Sequence, residues 1–232
     1  VHLFFENAIA TLGIKNLVSE KRVTAPYKVR GKIVTVSGQY DLLDTGTLTL
    51  WDFKVVKAFA AKMGPKPDYV SQLNVYADLE SRSGRPAPKK LANLYVIKDW
   101  SAKDARFDPE YPKAPLAIID IPMLTPTEVA AWVIGRVSAH WDGDAECTPE
   151  ETWERPGKLA VMKKGRKAAV KLFDVGQREE AEARAKQEGG QVVVRLGERP
   201  RCELYCSVAR FCPQYKRYND AKKEAIDESV VV

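Results

Sequence analysis

One stretch constrains this chain more than any other: Thr35-Val-Ser-Gly-Gln-Tyr-Asp-Leu-Leu-Asp-Thr-Gly-Thr-Leu-Thr-Leu-Trp-Asp-Phe-Lys54. Two apolar-alternating runs rich in β-branched residues flank Asp44-Thr45-Gly46, a turn signal, so the stretch predicts a β-hairpin. With Thr45 and Gly46 as a two-residue loop, Asp44 faces Thr47 and Asp41 faces Leu50. Side chains alternate with period two along a strand, so Asp41, Leu50, Asp52 and Lys54 share one face, with Asp41 diagonal to Asp52. Two neighbouring carboxylates repel unless a cation joins them. A divalent metal meets that need, and Lys54 adds a donor beside it. On the opposite face lie Trp51, Phe53 and Val55, while Leu48 and Leu50 precede the charges on their own face. Both faces are therefore expected to be partly buried, and buried charges need a partner or a task. Asp-x-Lys by itself is weak, because composition alone yields about one match in a chain of this size. Asp220-Ala-Lys222 is a second match, in a polar C-terminal segment.

The chain has 232 residues, enough for one sizeable domain with an insertion or for two small ones. Its net charge of +6 sums 37 basic against 31 acidic residues, which favours a polyanionic partner only weakly. No run of 18 apolar residues occurs, so no transmembrane helix and no membrane partner are expected. No secretory pattern is present, which points to the cytoplasm, while Val1 in place of Met leaves a lost leader open. Four cysteines without secretory features suggest metal before disulfide.

In chain order, residues 1–12 read as a helix ending at Gly13, with His2 and Glu6 on one face. Residues 16–30 and 32–43 read as strands joined near Arg30-Gly31, and 47–57 as the second hairpin strand. A helix follows Pro65-Lys-Pro67, from Asp68 to about Ser81. On it Gln72 and Tyr76 are spaced i, i+4, with Val75 and Leu79 near them and Asn74, Asp78 and Ser81 pointing elsewhere. Leu91–Ile97 is a nearly continuous apolar run, expected to be a central strand covered on both faces. Residues 99–126 read as Pro-rich and irregular, with a short apolar stretch at Leu116–Ile121. Thr125-Pro-Thr-Glu128 starts a helix that runs to about His140. Residues 142–152 are acidic and turn-like. Residues 158–196 read as strand, turn at Lys164-Gly165, strand, helix and strand. The expected division is 1–145 as the main domain, 146–197 as a small inserted α/β module, and 198–232 as a cysteine group and a helix returning to the main domain.

The order His2, Gly38-Gln-Tyr-Asp41, Asp52-Phe-Lys54 and Gln72-Leu-Asn-Val-Tyr76 resembles the RecB-type branch of the PD-(D/E)XK nuclease superfamily. That branch carries a His on its first helix, Gly-x-x-Asp on one strand, Asp/Glu-x-Lys on the next, and Gln-x-x-x-Tyr on the following helix. Each piece is weak alone; four in order within 76 residues are specific. The resemblance covers residues 1–100 and, less fully, 200–215, and extends to bacteriophage-type exonucleases. It implies a restriction-endonuclease-like α/β core, a central mixed sheet flanked by helices. It implies Mg²⁺ or Mn²⁺ held by His2, Asp41, Asp52 and the Phe53 carbonyl, to activate water and stabilise charge on a phosphate. Lys54 would orient or deprotonate that water, and Gln72 and Tyr76 would position Lys54 or the scissile strand. Lys57, Lys62 and Lys66 could bind phosphates, or be ordinary loop charge. DNA is the implied substrate, exonucleolysis in recombination or processing the implied activity, and a recombination protein a possible partner. A structure-specific endonuclease, an RNA-cleaving relative and a non-catalytic nucleic-acid-binding subunit are the alternatives. Cys147 and Cys202-x3-Cys206-x5-Cys212 match a further feature of the iron–sulfur members. Four thiolates suit a [4Fe–4S] cluster or tetrahedral Zn²⁺, and four unrelated thiols is the third possibility.

Overall fold

A computed structural model describes residues 2–143 and 146–230, and side chains within 5–143 and 146–223. The chain forms two compact units, Val1–Asp144 and Ala145–Val232. Residues 198–232 belong to the second.

In the first unit, Val23, Ala25, Tyr27 and Val29 are buried and alternate with exposed Thr24, Pro26 and Lys28. This period of two makes strand β1 (Leu17–Val29), half buried as an edge strand should be. Pro26 is tolerated because an edge strand has one side with no ladder to serve. Arg30 and Gly31, at φ 48° and 80°, form a two-residue loop that returns the chain into β2 (Lys32–Asp44). Strands β3 (Thr49–Val56), β4 (Lys90–Ile97) and β5 (Leu116–Ile121) complete a five-stranded sheet in sequential order. β3 and β4 are parallel and the other pairs antiparallel. This is the mixed α/β architecture expected of a restriction-endonuclease-like core. β4, bonded on both sides and buried along most of its length, is an interior strand between the central β3 and the edge strand β5.

Helix α1 (His2–Leu12) ends at Gly13, α2 (Ala58–Lys62) follows β3, and α3 (Pro67–Arg82) makes the crossover to β4. α4 (Ala102–Phe107) and β5 occupy the region expected to be irregular. β5 is a short, half-exposed edge strand, too weak in pattern to be assigned as a strand among prolines. α5 (Pro126–Asp142) begins with the predicted capping box, Thr125 and Glu128 each bonding the other's backbone N–H. The main core joins β1, β2, α3 and α5 through residues such as Tyr27, Leu73, Leu79, Val129 and Val133.

The hairpin register differs from expectation. The loop is four residues, Thr45–Leu48, because the pairs run Leu42↔Trp51, Leu43↔Leu50 and Asp44↔Thr49. The Asp44 carboxylate sets this loop: it accepts from Gly46 N (2.8 Å), Thr47 N (3.3 Å), Thr47 Oγ1 (2.8 Å) and Asn16 Nδ2 (2.7 Å). These bonds hold its pKa below the ordinary carboxylate value, the Thr47 hydroxyl contributing most. Two extra loop residues preserve parity, so Asp41 and Asp52 keep their common face.

The second unit begins with a one-turn helix α6 (Pro149–Thr152), in a stretch expected to be only turn-like, closed by a Thr148/Glu151 capping box. β6 (Lys158–Lys163), β7 (Lys171–Asp174), α7 (Arg178–Glu188) and β8 (Gly190–Arg195) follow in the predicted order. β6 is the middle strand of an antiparallel three-stranded sheet. α7 packs Ala181 and Ala185 on Leu159, Val161 and Phe173. A π-helical turn Arg201–Tyr205, a 3₁₀ turn Ala209–Phe211 and helix α8 (Pro213–Val230) end the chain.

Candidate active site

Antiparallel pairing between β2 and β3 stops at Leu42↔Trp51. The next residue on each strand, Asp41 and Asp52, lies just past the end of that pairing. Both are buried. Asp41 takes over where the ladder ends: its Oδ2 accepts from Phe53 N at 2.6 Å. Two residues beyond Asp52, on the same face, Lys54 places its ammonium 2.6 Å from Asp52 Oδ2. On the other face of β3, the Phe53 ring packs against Phe5 of α1 with centroids 4.5 Å apart.

The crossover helix α3 supplies the roof. Lys54 Nζ donates to Gln72 Oε1 at 3.0 Å, and Gln72 Nε2 donates to the Tyr76 hydroxyl at 3.0 Å. The amide orientation follows: with its NH₂ given to Tyr76, Gln72 has only its carbonyl left for Lys54. Gly38 explains how Tyr76 fits. A Cβ at Gly38 would lie 2.5 Å from Tyr76 Cε1, so the ring occupies the space that a side chain on β2 would need.

The structure therefore brings Asp41, Asp52, Phe53, Lys54, Gln72 and Tyr76 into one connected set. The side chain of His2 lies outside the described residues. Among the described residues no group of three or more His, Cys, Asp and Glu side chains is placed to hold a metal ion. Asp41 and Asp52 still suit one, since two buried carboxylates are the hard oxygen donors that Mg²⁺ and Mn²⁺ prefer.

Two neighbours went unforeseen. Tyr69 lies one helical turn before Gln72 and carries Lys54 Nζ 4.9 Å from its ring centroid, a cation–π contact. Asn93 pairs with Asp52 in the parallel register and is fully buried. The spacing of Tyr69 from Gln72 was readable as helical; nothing in the apolar run 91–97 distinguishes Asn93. The candidate phosphate-binding lysines separate. Lys62 is engaged by Asp108 at 2.6 Å, which raises its pKa. Lys57 and Lys66 line an open cavity of about 410 Å³ with Phe59, Met63, Tyr69 and Lys98.

In the second unit all four cysteines are free thiols. Gln214 clamps the Cys147 backbone, accepting from its N–H at 2.9 Å and donating to its carbonyl at 2.8 Å. Burial raises the Cys147 and Cys202 thiol pKa values, and neighbouring thiols push in the same direction. Cys206 and Cys212 do so for Cys147; Cys147, Cys206 and Cys212 do so for Cys202. Glu151 also raises the Cys147 thiol and Arg201 opposes it. The absence of a group of three or more metal-holding side chains among the described residues applies to these four cysteines as well.

No family model matches the chain, and no curated protein matches it. The crystal structure of SSO0001 is similar at 18% identity with a TM-score of 0.46, over 66% of this chain and 60% of that one. The chain therefore spans less than two thirds of that protein's length. Among the described residues no helix is long and apolar enough to cross a membrane.

Proposed function

We propose that this chain is a divalent-metal-dependent deoxyribonuclease of the PD-(D/E)XK type, acting as an exonuclease in DNA recombination or processing. The observation that carries this reading is the position of the Lys54 ammonium. It sits between Asp52 and Gln72, where Asp41 and Asp52 lie just past the end of the β2–β3 pairing.

Each residue then has a physical task. Asp41 and Asp52, with His2 and the Phe53 carbonyl, would hold the metal, which would supply Lewis acidity toward the phosphate and a more acidic water. Lys54 orients the attacking water and neutralises charge that grows on the phosphate oxygens. Gln72 fixes Lys54, and Tyr76 fixes the Gln72 amide. Lys57, Lys66 and Lys98, around the neighbouring cavity, offer phosphate contacts for the strand entering the site. Cys147, Cys202, Cys206 and Cys212 would hold a [4Fe–4S] cluster, or Zn²⁺ in its place, which would staple the ends of the second unit together.

The deciding assay presents linear and covalently closed circular DNA with Mg²⁺ or Mn²⁺. An exonuclease degrades only the linear form. Cleavage of the closed circle makes the chain an endonuclease, and cleavage of neither refutes the reading. Anaerobically purified protein should be brown with thiolate-to-iron absorption. Colourless protein with stoichiometric zinc would replace the cluster and keep the staple.

A further inference from the structure

Positive charge is concentrated in one place. Residues 158–196 hold ten Lys and Arg against five Asp and Glu, in a chain whose net charge is +6. Within that module the signs are also separated. Glu182 pairs with Arg178 (3.0 Å) and Glu188 with Arg184 (2.6 Å) along α7, and Asp174 pairs with Lys158. Lys164, Arg166 and Arg195 enter no ion pair among the described residues, and Lys163 has only a long one, 3.7 Å to Glu188.

Those four cations surround a single open cavity of about 560 Å³, floored by Met162 and Val193, with no carboxylate in its lining. Arg195 lies at the far end of β8, opposite Lys158. Its guanidinium nevertheless reaches back to 4.0 Å from the Met162 sulfur, which brings it to the lysines of the β6–β7 connection. The rim is tightly built. A side chain at Gly190 would meet the Met162 carbonyl at 2.2 Å, so β8 can start against β6 only with glycine there. The size is that of a site for a ligand with several groups, and its chemistry is cationic walls over an apolar floor.

We propose that this cavity binds one phosphodiester unit of single-stranded DNA. The phosphate lies against Lys163, Lys164, Arg166 and Arg195, and the sugar and base lie over Met162 and Val193. A single strand can turn a base onto an apolar floor; a duplex keeps its bases stacked inside. That the polymer is DNA rests on the nuclease reading, whereas the site itself rests on the module's own charge and shape.

The test uses the whole chain in EDTA, with anisotropy of a labelled oligothymidine across a salt series. The double variant Lys164→Gln/Arg166→Gln should bind about tenfold more weakly and reduce the slope of log K against log salt by about 1.5. The pair Lys171→Gln/Lys186→Gln removes the same charge from the same module outside the cavity and should change affinity less than about twofold. Equal losses in the two pairs would reduce the effect to net charge and overturn the site. No loss in either would overturn it too. So would tighter binding of the matching duplex, or displacement of the oligonucleotide by inorganic phosphate alone at low concentration. Hydrolysis with Mg²⁺ is read separately. A chain that binds as expected but never cleaves loses the nuclease reading and keeps this site; one that cleaves while Lys164→Gln/Arg166→Gln binds normally does the reverse.

Discussion

Helix α3 carries two sets of polar side chains with different fates. Gln72 and Tyr76, only partly buried, form a chain of hydrogen bonds ending at Lys54. Asn74, Asp78 and Glu80 are buried and tied into the scaffold. Asn74 Nδ2 donates to Val70 O and Pro122 O, both at 2.9 Å, and its Oδ1 accepts from Leu124 N at 2.8 Å. Asp78 accepts from the Tyr27 hydroxyl and from Arg82 Nε, each at 2.5 Å. Glu80 takes Arg85 through two bonds of 2.5 and 2.7 Å, with Lys21 at 3.7 Å. One set closes on itself. The other ends on the Lys54 ammonium, which is shared between Gln72 and Asp52. Polar residues of one helix thus enter two separate networks, one within the scaffold and one reaching the Lys54 ammonium.

The sharpest way to break this contrast is Lys54→Ala. Cleavage should fall by about a thousandfold or more while the fold is kept. Near-normal turnover in clean protein would end the assignment. Asp52→Asn should do the same, and should also abolish the rise in melting temperature that Mg²⁺ or Mn²⁺ gives the unmodified chain.

Asn74→Ala tests the opposite pole. It strands the Pro122 carbonyl and the Leu124 N–H, while Val70 O keeps its bond within the helix, so urea unfolding should show a loss of about 2–3 kcal/mol. Turnover per folded molecule should stay within about twofold of normal. A large fall in turnover with unchanged stability would erase the division between the two sets.

Gly38→Ala lies between them. Its new methyl pushes on the Tyr76 ring, so the Gln72 amide loses its anchor, and we expect about a tenfold drop in turnover with a loss of about 1–3 kcal/mol. Unchanged kinetics would show that Tyr76 does nothing for Lys54.

The smallest effect at neutral pH belongs to Tyr40, which is fully buried near Glu80. Burial first, and Glu80 second, push its hydroxyl up to about 12, against an opposing pull from Arg85. Because the folded value lies above the unfolded one of about 10, stability is complete below about pH 10 and is lost as pH rises toward about 12. Base-induced unfolding of Tyr40→Phe should lose that part of the slope; identical base titrations would place the effect elsewhere.

The sequence made the site-bearing half of this picture legible, and the reason is parity. Alternation tells which residues share a strand face whether a hairpin loop has two residues or four, so Asp41, Asp52 and Lys54 could be grouped without the true register. The register itself depended on Asp44, whose carboxylate organises a longer loop, and local pattern gave no sign of that. Gln72 and Tyr76 were readable from helical spacing. Asn74, Asp78 and Glu80 were not, because a hydrophobic pattern assigns polar residues to solvent and these three are buried by partners as distant in sequence as Tyr27 and Pro122. β5 was visible only as a short apolar stretch: an edge strand of six residues after Pro112 and Pro115 carries too little alternation to be assigned as a strand.

The crossover from β3 through α3 has a consequence for inheritance. The hydrogen bonds that join Asp41 to Phe53, Lys54 to Gln72 and Gln72 to Tyr76, and the close approach of Gly38 to Tyr76, all lie within residues 38–76, while Phe5 and Asn93 approach from outside that segment. A site written in a single passage can be copied, moved or lengthened around without being rewritten. The two acids, the lysine and its two supports thus lie within 36 consecutive residues, 41–76, of the first unit.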